Sequence, residues 1–497
     1  MSLKSTSLVE KIDFGDIDGL YDKNIDKYFL DEGYWEKLIE EDTYFVIGRK
    51  GTGKSAIYNW IRGQQYNKSA LISNLSFKEF PFEKLLKLSD ENFSKPNQYQ
   101  SIWRNIILSE IAHLITLDQQ NEVDDNYKNI VKYVKYTFGS DLTDLHKQIT
   151  ESTEKTTAGL AYRGTGFGSE NSNSTSYSDG LGNITQINRK LEKVIRDYLK
   201  ASNSSRYVIQ FDQLDDNYTA YSNKDEYFQC IISLFKTAYD INQIFRMEDI
   251  PAKAILYLRS DIFYWINNVD AESARWDQFK LDLNWSIVNR NDWTNPKLLQ
   301  LINKRIIASS LESNESENPF NIIFNTEKIN LKENGRTQDI FKYIIHRTFH
   351  RPRDVVQFCL KIQEQVKNTN ELYFRTIKNA EKEYSLWLLS EVKNELSPKI
   401  SDIDSLYEFL RLLGSSRFSM NEFKLRYKKF ESILKYDSEE LLKLLYNVGI
   451  IYNVNDAREI EIYSIIRNDR SVFNRDLKIQ LHPGYYQGLY ISKFLKR

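Results

Sequence analysis

The stretch "GRKGTGKS", Gly48–Ser55, combines glycines, a lysine and a hydroxyl at the spacing G-x-x-x-x-G-K-[ST]. That spacing suits phosphate chemistry. The glycines let the backbone wrap an anion, so that successive N–H groups point inward. Lys54 would reach the β- and γ-phosphates, and the Ser55 hydroxyl would ligate Mg²⁺. The expected cradle comprises Gly48, Arg49, Lys50, Gly51, Thr52, Gly53, Lys54, Ser55 and Ala56. The bland alternative is a tight turn that happens to precede a lysine. Strand-forming residues Tyr44–Ile47 before the loop and the helical pattern "SAIYNWIRGQ" after it favour the cradle, since a helix start adds its positive end.

A phosphate-bound metal needs an acidic partner at a strand end. "YVIQFDQLDDNY" supplies it: Val208, Ile209 and Phe211 are strand formers, and Asp212 closes the run where open α/β sheets bind ligands. Asp212 is expected to hold Mg²⁺ together with Ser55. Hydrolysis also needs a carboxylate that orients the attacking water. Gln213 cannot be that base, which leaves Asp215 and Asp216, with Asp215 the choice. Both acids could instead cap the next helix or carry surface charge. "GTGFG", at 164–168, offers a second glycine-rich loop, but no strong strand precedes it and no helix follows at once, so it is set aside.

Positioning these residues requires a parallel sheet. The expected strands are Tyr44–Ile47, "SALISNLSF", "RYVIQFD", "KAILYLRSD" and "FKLDLNW". The helical pattern before them is "KYFLDEGYWEKLIEED", and those between them include "SIWRNIILSEIAHLITLDQ" with Ile106, Ile107, Ile111 and Leu114 on one face, "INRKLEKVIRDYLKAS" and "DEYFQCIISLFKTAYDIN". Such alternation predicts an α/β fold. The expected domains are a core over 1–290, a helical lid over 291–395 and a C-terminal domain over 396–497. The Gly/Ser/Asn-rich stretch 139–184 reads as a flexible insertion within the core.

The 497 residues are 41% hydrophobic and carry a net charge of −1, so no global basic field marks a nucleic-acid binder. Cys230 and Cys359 stand alone, against a disulfide framework or a zinc site, and the five histidines form no zinc-protease pattern. No apolar leader and no 18-residue apolar span are present, so the expectation is a cytoplasmic protein with no membrane partner.

"GRKGTGKS" followed much later by "FDQLDD" resembles the ASCE branch of P-loop ATPases, which includes AAA+, STAND and KAP ATPases. The resemblance spans about Phe14–Lys367 and implies ATP with Mg²⁺ as ligands. In the KAP and STAND types the second motif reads like D-D-x-D. Asp212 and Asp215 match its first and last acids and Gln213 departs at the second, implying slow turnover. "AILYLRSD" is similar to a sensor-1 strand, which would put Arg259 near the γ-phosphate. "FHRPRDVVQFC" is similar to a sensor-2 helix start, with Pro352 in the first turn, Arg353 as the arginine that reaches the nucleotide and Arg351 as second candidate. Each arginine could equally form a surface salt bridge. Several bacterial members with such a loop sit near anti-phage defence genes, and the resemblance thus implies a partner effector protein. Many relatives assemble with an arginine supplied in trans, which implies a homo-oligomer.

The last block, "DSLYEFLRLLG", "SMNEFKLRYKKF" and "DSEELLKLLYNVGIIYNV" followed by β-like "REIEIYSI" and "LKIQLHP", resembles a winged helix. Its Lys424, Arg426, Lys428 and Lys429 could contact a DNA backbone, although a solvated helix face is the commoner use of such a run. The leading expectation is a nucleotide-driven conformational switch. The competing ones are a nucleotide-regulated DNA-binding protein and a scaffold with a vestigial ATPase site.

Overall fold

The chain folds into α-helices around a five-stranded parallel sheet, followed by a mainly helical C-terminal half. The computed structural model describes residues 8–65, 68–76, 97–118, 123–138, 177–201, 205–214, 224–269, 273–287, 296–309, 318–324, 332–333, 336–337, 339–397, 399–455, 460–462 and 472–491. Two compact bodies result. The sheet body is Asp31–Gly48 with Lys54–Leu283, and the helical body is Met1–Leu30, Arg49–Gly53 and Asn284–Arg497.

In the sheet body, β1 (Phe45–Ile47), β2 (Ala70–Ser76), β3 (Arg206–Asp212), β4 (Ala252–Leu258) and β5 (Lys280–Asp282) lie in the order β2-β3-β4-β1-β5. Every pairing is parallel, from Ala70 opposite Arg206 to Phe45 opposite Lys280. Parallel neighbours require crossover helices. These are α1 (Lys54–Gln64), α2 (Gln100–Leu117), α3 (Asp125–Phe138), α4 (Tyr177–Ala201), α5 (Lys224–Met247) and α6 (Ser260–Val269). Side chains alternate across each strand. Tyr207, Ile209 and Phe211 of β3 join one core with residues of α2, α4 and α5, such as Trp103, Leu191 and Phe235. Val208, Gln210 and Asp212 therefore occupy the other face. There Gln210 Nε2 bonds the Tyr58 carbonyl of α1 at 3.4 Å, and Tyr257 donates to Gln210 Oε1 at 2.5 Å.

Three local expectations are revised. Helix α2 does not bury a single stripe: every residue from Ile107 to Ile115 is buried, because the helix lies between the sheet and its neighbours α3, α4 and α5. Helix α4 starts at Tyr177, so the last residues of the expected insertion are helical; extending a formed helix adds one bond per residue fixed. The rest of that insertion, with "GTGFG", lies outside the described residues. The pattern "KYFLDEGYWEKLIEED" does not form one helix. Left-handed Gly33 (φ 75°) breaks it, leaving a short turn at Ile25–Tyr28 and a π-helical turn at Glu36–Glu40.

The helical body contains α7 (Lys297–Ala308), an antiparallel pair of two-residue strands, β6 (Lys332–Glu333) and β7 (Arg336–Thr337), then α8 (Pro352–Thr369) and α9 (Phe374–Leu396). The arm Val9–Phe14 enters its core, held by Gln363 Nε2 on the Val9 and Ile12 carbonyls at 2.8 and 2.7 Å. The C-terminal segments follow the expected order: α10 (Ile403–Leu413), α11 (Met420–Tyr427), α12 (Ser438–Asn447), then β8 (Ile451–Asn455), β9 (Ile460–Ile462) and β10 (Lys478–Leu481). These strands pair antiparallel in the order β10-β8-β9, and Phe418 bridges to Ile479. Among the described residues no helix is long and apolar enough to cross a membrane. Cys230 and Cys359 are free and buried.

Candidate functional site

Ligands of open α/β sheets bind outside the carboxyl ends of the strands, and among the described residues Gly48, Asp212 and Arg259 lie at those ends of β1, β3 and β4. β1 ends at Ile47, and Gly48 N donates to Leu258 O of β4 at 3.2 Å. Helix α1 starts at Lys54, with Ser55 and Ala56 in its first turn. Lys54 is 9% exposed, and its Nζ donates to the Gly48 carbonyl at 3.0 Å, folding the side chain back over the loop it follows. Asp212 closes β3 and is 2% exposed. Burial first, and the Asp212 carboxylate second, push the Tyr58 and Tyr257 phenols upward, so that carboxylate acts on the α1 face of the sheet.

Immediately after Asp212, Gln213 takes left-handed backbone (φ 61°), and the Ser76 hydroxyl of β2 bonds its Oε1. A non-glycine residue held this way signals a locally over-determined backbone. Asp215 and Asp216 lie outside the described residues. Arg259 follows β4 and is held sideways by its own neighbour: Nε and Nη2 meet the Asp261 carboxylate at 3.0 and 2.6 Å.

The middle of the loop, Arg49–Gly53, groups with the helical body. Gly51 and Gly53 have φ of 84° and 98°, the left-handed region that favours glycine. Thr52 closes a turn, with its N and Oγ1 on the Arg49 carbonyl at 3.2 and 2.7 Å. The next three carbonyls each accept from the helical body. Arg351 Nη1 donates to Lys50 O at 3.0 Å, Arg353 N to Gly51 O at 3.3 Å, and Trp285 Nε1 to Thr52 O at 2.9 Å. The loop's side chains are engaged as well: Arg49 Nη1 reaches Asn447 O at the end of α12, at 3.4 Å, and Lys50 Nζ lies 3.4 Å from Glu391 of α9.

Helix α8 starts at Pro352, as its sequence predicts, with Arg351 as the N-cap. The two candidate arginines differ in use. Arg353 Nη1 shares Glu391 with Lys50, at 3.4 Å. Arg351 is buried and pairs in bidentate fashion with Asp354, Nε to Oδ2 at 2.9 Å and Nη2 to Oδ1 at 2.8 Å. Asp354 also accepts from Phe349 N at 3.0 Å. Burial alone would lower the Arg351 pKa, but the Asp354 carboxylate outweighs it and holds the guanidinium above its ordinary value. Just before it, His350 is left-handed (φ 51°) and its Nδ1 accepts from Ile287 N.

Trp285, Glu391 and Asn447 escaped the sequence reading. Each meets the loop from more than 200 residues away, and no local spacing marks them. Arg351 carried a readable signal in "RPRD", an i,i+3 partner for Asp354. A cavity of about 400 Å³ lined by Arg206, Asn242, Arg246 and Lys253 opens at the other, amino ends of β3 and β4, away from Asp212.

Two comparisons with known proteins bear on the chain. Residues 296–393 match the family model of the FunZ-associated C-terminal helical domain. Over 518 aligned positions the chain is 24% identical to the "Putative transposon gamma-delta 80.3 kDa protein" of Escherichia coli (strain K12), covering 97% of this chain and 67% of that protein.

Proposed function

We propose that the protein is a P-loop ATPase that binds ATP with Mg²⁺ and uses it as a conformational switch with slow turnover. The observation that carries this reading is the loop between β1 and α1: two left-handed glycines followed by a buried, helix-heading Lys54 folded onto Gly48. The strand order supports it, since β1 and β3 deliver their carboxyl ends to one edge of a parallel sheet. The oxygen donors fit a hard cation: Ser55 and the buried Asp212 would hold Mg²⁺, which would neutralise charge on the phosphates. Gln213 beside Asp212 favours slow hydrolysis, and Asp215 is the proposed base. The family resemblance alone makes Arg353, which pairs with Glu391, and Arg259, which pairs with Asp261, the candidate arginines for the terminal phosphate. A winged-helix reading of the C-terminal block is supported by its three helices and antiparallel strands. An anti-phage role with a partner effector, and a homo-oligomer, rest on the family resemblance alone.

Lys54→Ala is expected to weaken MgATP binding by about a hundredfold, the scale of lost charge-assisted hydrogen bonds. Isothermal titration of both forms measures it, and equal affinities would end the proposal.

A second reading is a nucleotide-regulated DNA-binding protein. Lys428 and Lys429 are exposed just beyond α11, and the relative's name places that protein with a transposon. Two other members of the basic run already have local work. Lys424 pairs with Glu439 at 3.0 Å, and Arg426 Nη1 bonds the Leu412 and Leu413 carbonyls that end α10.

A further inference from the structure

We propose that, within the helical body, Trp285 and Arg351 set the shape of the Arg49–Gly53 turn as positioning residues. This deepens the ATP-binding reading and rests on it. In a trans peptide the C=O and the following N–H point in opposite directions. The Lys50 carbonyl is taken by Arg351, so the Gly51 N–H of the same peptide points away from that arginine. The Thr52 carbonyl is taken by Trp285, so the Gly53 N–H likewise points away from the indole. The peptide between Gly51 and Thr52 is used differently: its carbonyl accepts from Arg353 N, while its N–H closes the turn onto Arg49 O. The two outer donors thus decide which way the flanking N–H groups face.

Neither donor is loose. Arg351 is a planar fork whose remaining nitrogens are bound to Asp354, and the two side chains are 8% and 0% exposed. The Trp285 ring packs against the helical body's core and has one N–H to give. Glycine at 51 and 53 would otherwise sample many backbone states. Holding their peptides before a ligand arrives lowers the ordering cost of binding. The ligand part that gains is the phosphate chain of a nucleoside di- or triphosphate.

The test compares wild type, Trp285→Phe and Arg351→Lys in the full chain. Phe keeps the ring and removes the donor. Lys keeps a charge opposite Asp354 but lacks the fork. Dissociation constants for MgADP and for magnesium pyrophosphate come from isothermal titration, and ligand-free melting curves accompany them. Both constants are expected to rise about fivefold to tenfold in Trp285→Phe, the scale of one lost hydrogen bond, with its ligand-free melting curve close to wild type. Arg351→Lys is expected to move both constants the same way. Trp285→Phe binding within about twofold of wild type, less than one hydrogen bond is worth, overturns the positioning role while leaving the ATP reading intact. Wild type that binds neither ligand overturns both.

Discussion

Gly51 concentrates the demands on the loop into one residue. Its φ is 84°, its carbonyl accepts from Arg353 N, and an added Cβ would stand 3.0 Å from Arg353 Cβ and 3.1 Å from its Cδ. Alanine would meet two costs there. The left-handed backbone costs an L-residue roughly 1–2 kcal/mol, and the methyl would push against the first turn of α8. Gly53, at φ 98°, has nothing within 4 Å of the same position, so it meets only the first cost. Gly51→Ala is therefore expected to weaken MgATP binding by about tenfold or more, the equivalent of roughly 1.4 kcal/mol, and to lower the melting temperature. Gly53→Ala should be the milder of the two on the melting temperature. Titration calorimetry and thermal melts of both variants check this, and the reverse order of stability would refute the close approach of Arg353. The turn over Gly48–Ser55 and the strand that Asp212 closes are legible because glycines and strand-forming residues act on the backbone locally. Trp285 and Glu391 stayed silent because a donor to a backbone carbonyl can come from any point in the chain, and many residue types can supply it.

Elements were readable wherever hydrophobic period and length agreed, as in β3, β4 and α5, and less so where tertiary packing overrode the local pattern. Helix α2 is the instructive case. Its apolar run reads as one stripe, yet the helix is enclosed, and Glu110 is enclosed with it at 2% exposure. The partner is Ser73 of β2, whose hydroxyl donates to Glu110 Oε2 at 2.7 Å. Burial pushes the Glu110 carboxyl up to about 7 from an ordinary 4.5, against a smaller lowering from Ser73. A carboxyl raised on folding binds its proton more tightly in the native state. The stability linked to that proton is complete below about pH 4.5 and is lost as pH rises through about 7, a loss of roughly 3 kcal/mol. Glu110→Gln keeps the shape and removes the titration. Its stability relative to wild type should therefore increase between pH 5 and pH 8, as followed by urea melts at the two values. A difference that does not change with pH would show that Glu110 does not titrate in this range. No sequence pattern foretold this, since a glutamate in an amphipathic run reads by default as the solvent face.

At the scale of the molecule, charge distribution separates the switch from the DNA reader. The net charge of −1 supplies no long-range attraction to a polyanion, so DNA binding would have to come from a local face. In a winged-helix arrangement the last helix before the strands would be the natural groove reader, and here that is α12, "SEELLKLLYN", with two glutamates against one lysine. Glu439 is moreover paired with Lys424 and, at 2.7 Å, with Arg475, so the block spends part of its basic charge on itself. Only Lys428 and Lys429 of the run remain exposed beyond α11 without an assigned structural task. The end of α12 instead carries Asn447, whose carbonyl accepts from Arg49 of the glycine-rich loop. Under the proposed ATP reading, a block that contacts the loop and presents an acidic helix is better suited to relaying nucleotide state than to holding DNA. Duplex DNA is accordingly expected to bind no more tightly than the non-specific range of about 10⁻⁴–10⁻⁶ M at physiological salt, with or without MgATP. Fluorescence anisotropy across a salt series, on wild type and on Lys428→Ala/Lys429→Ala, makes the measurement. Two lysines on phosphates would each contribute close to one to the slope of log K against log salt. A slope that drops by about two in the double variant, together with wild-type binding tighter than that range, would transfer the function to DNA. An unchanged, shallow slope leaves the C-terminal block to act through Arg49 and Asn447.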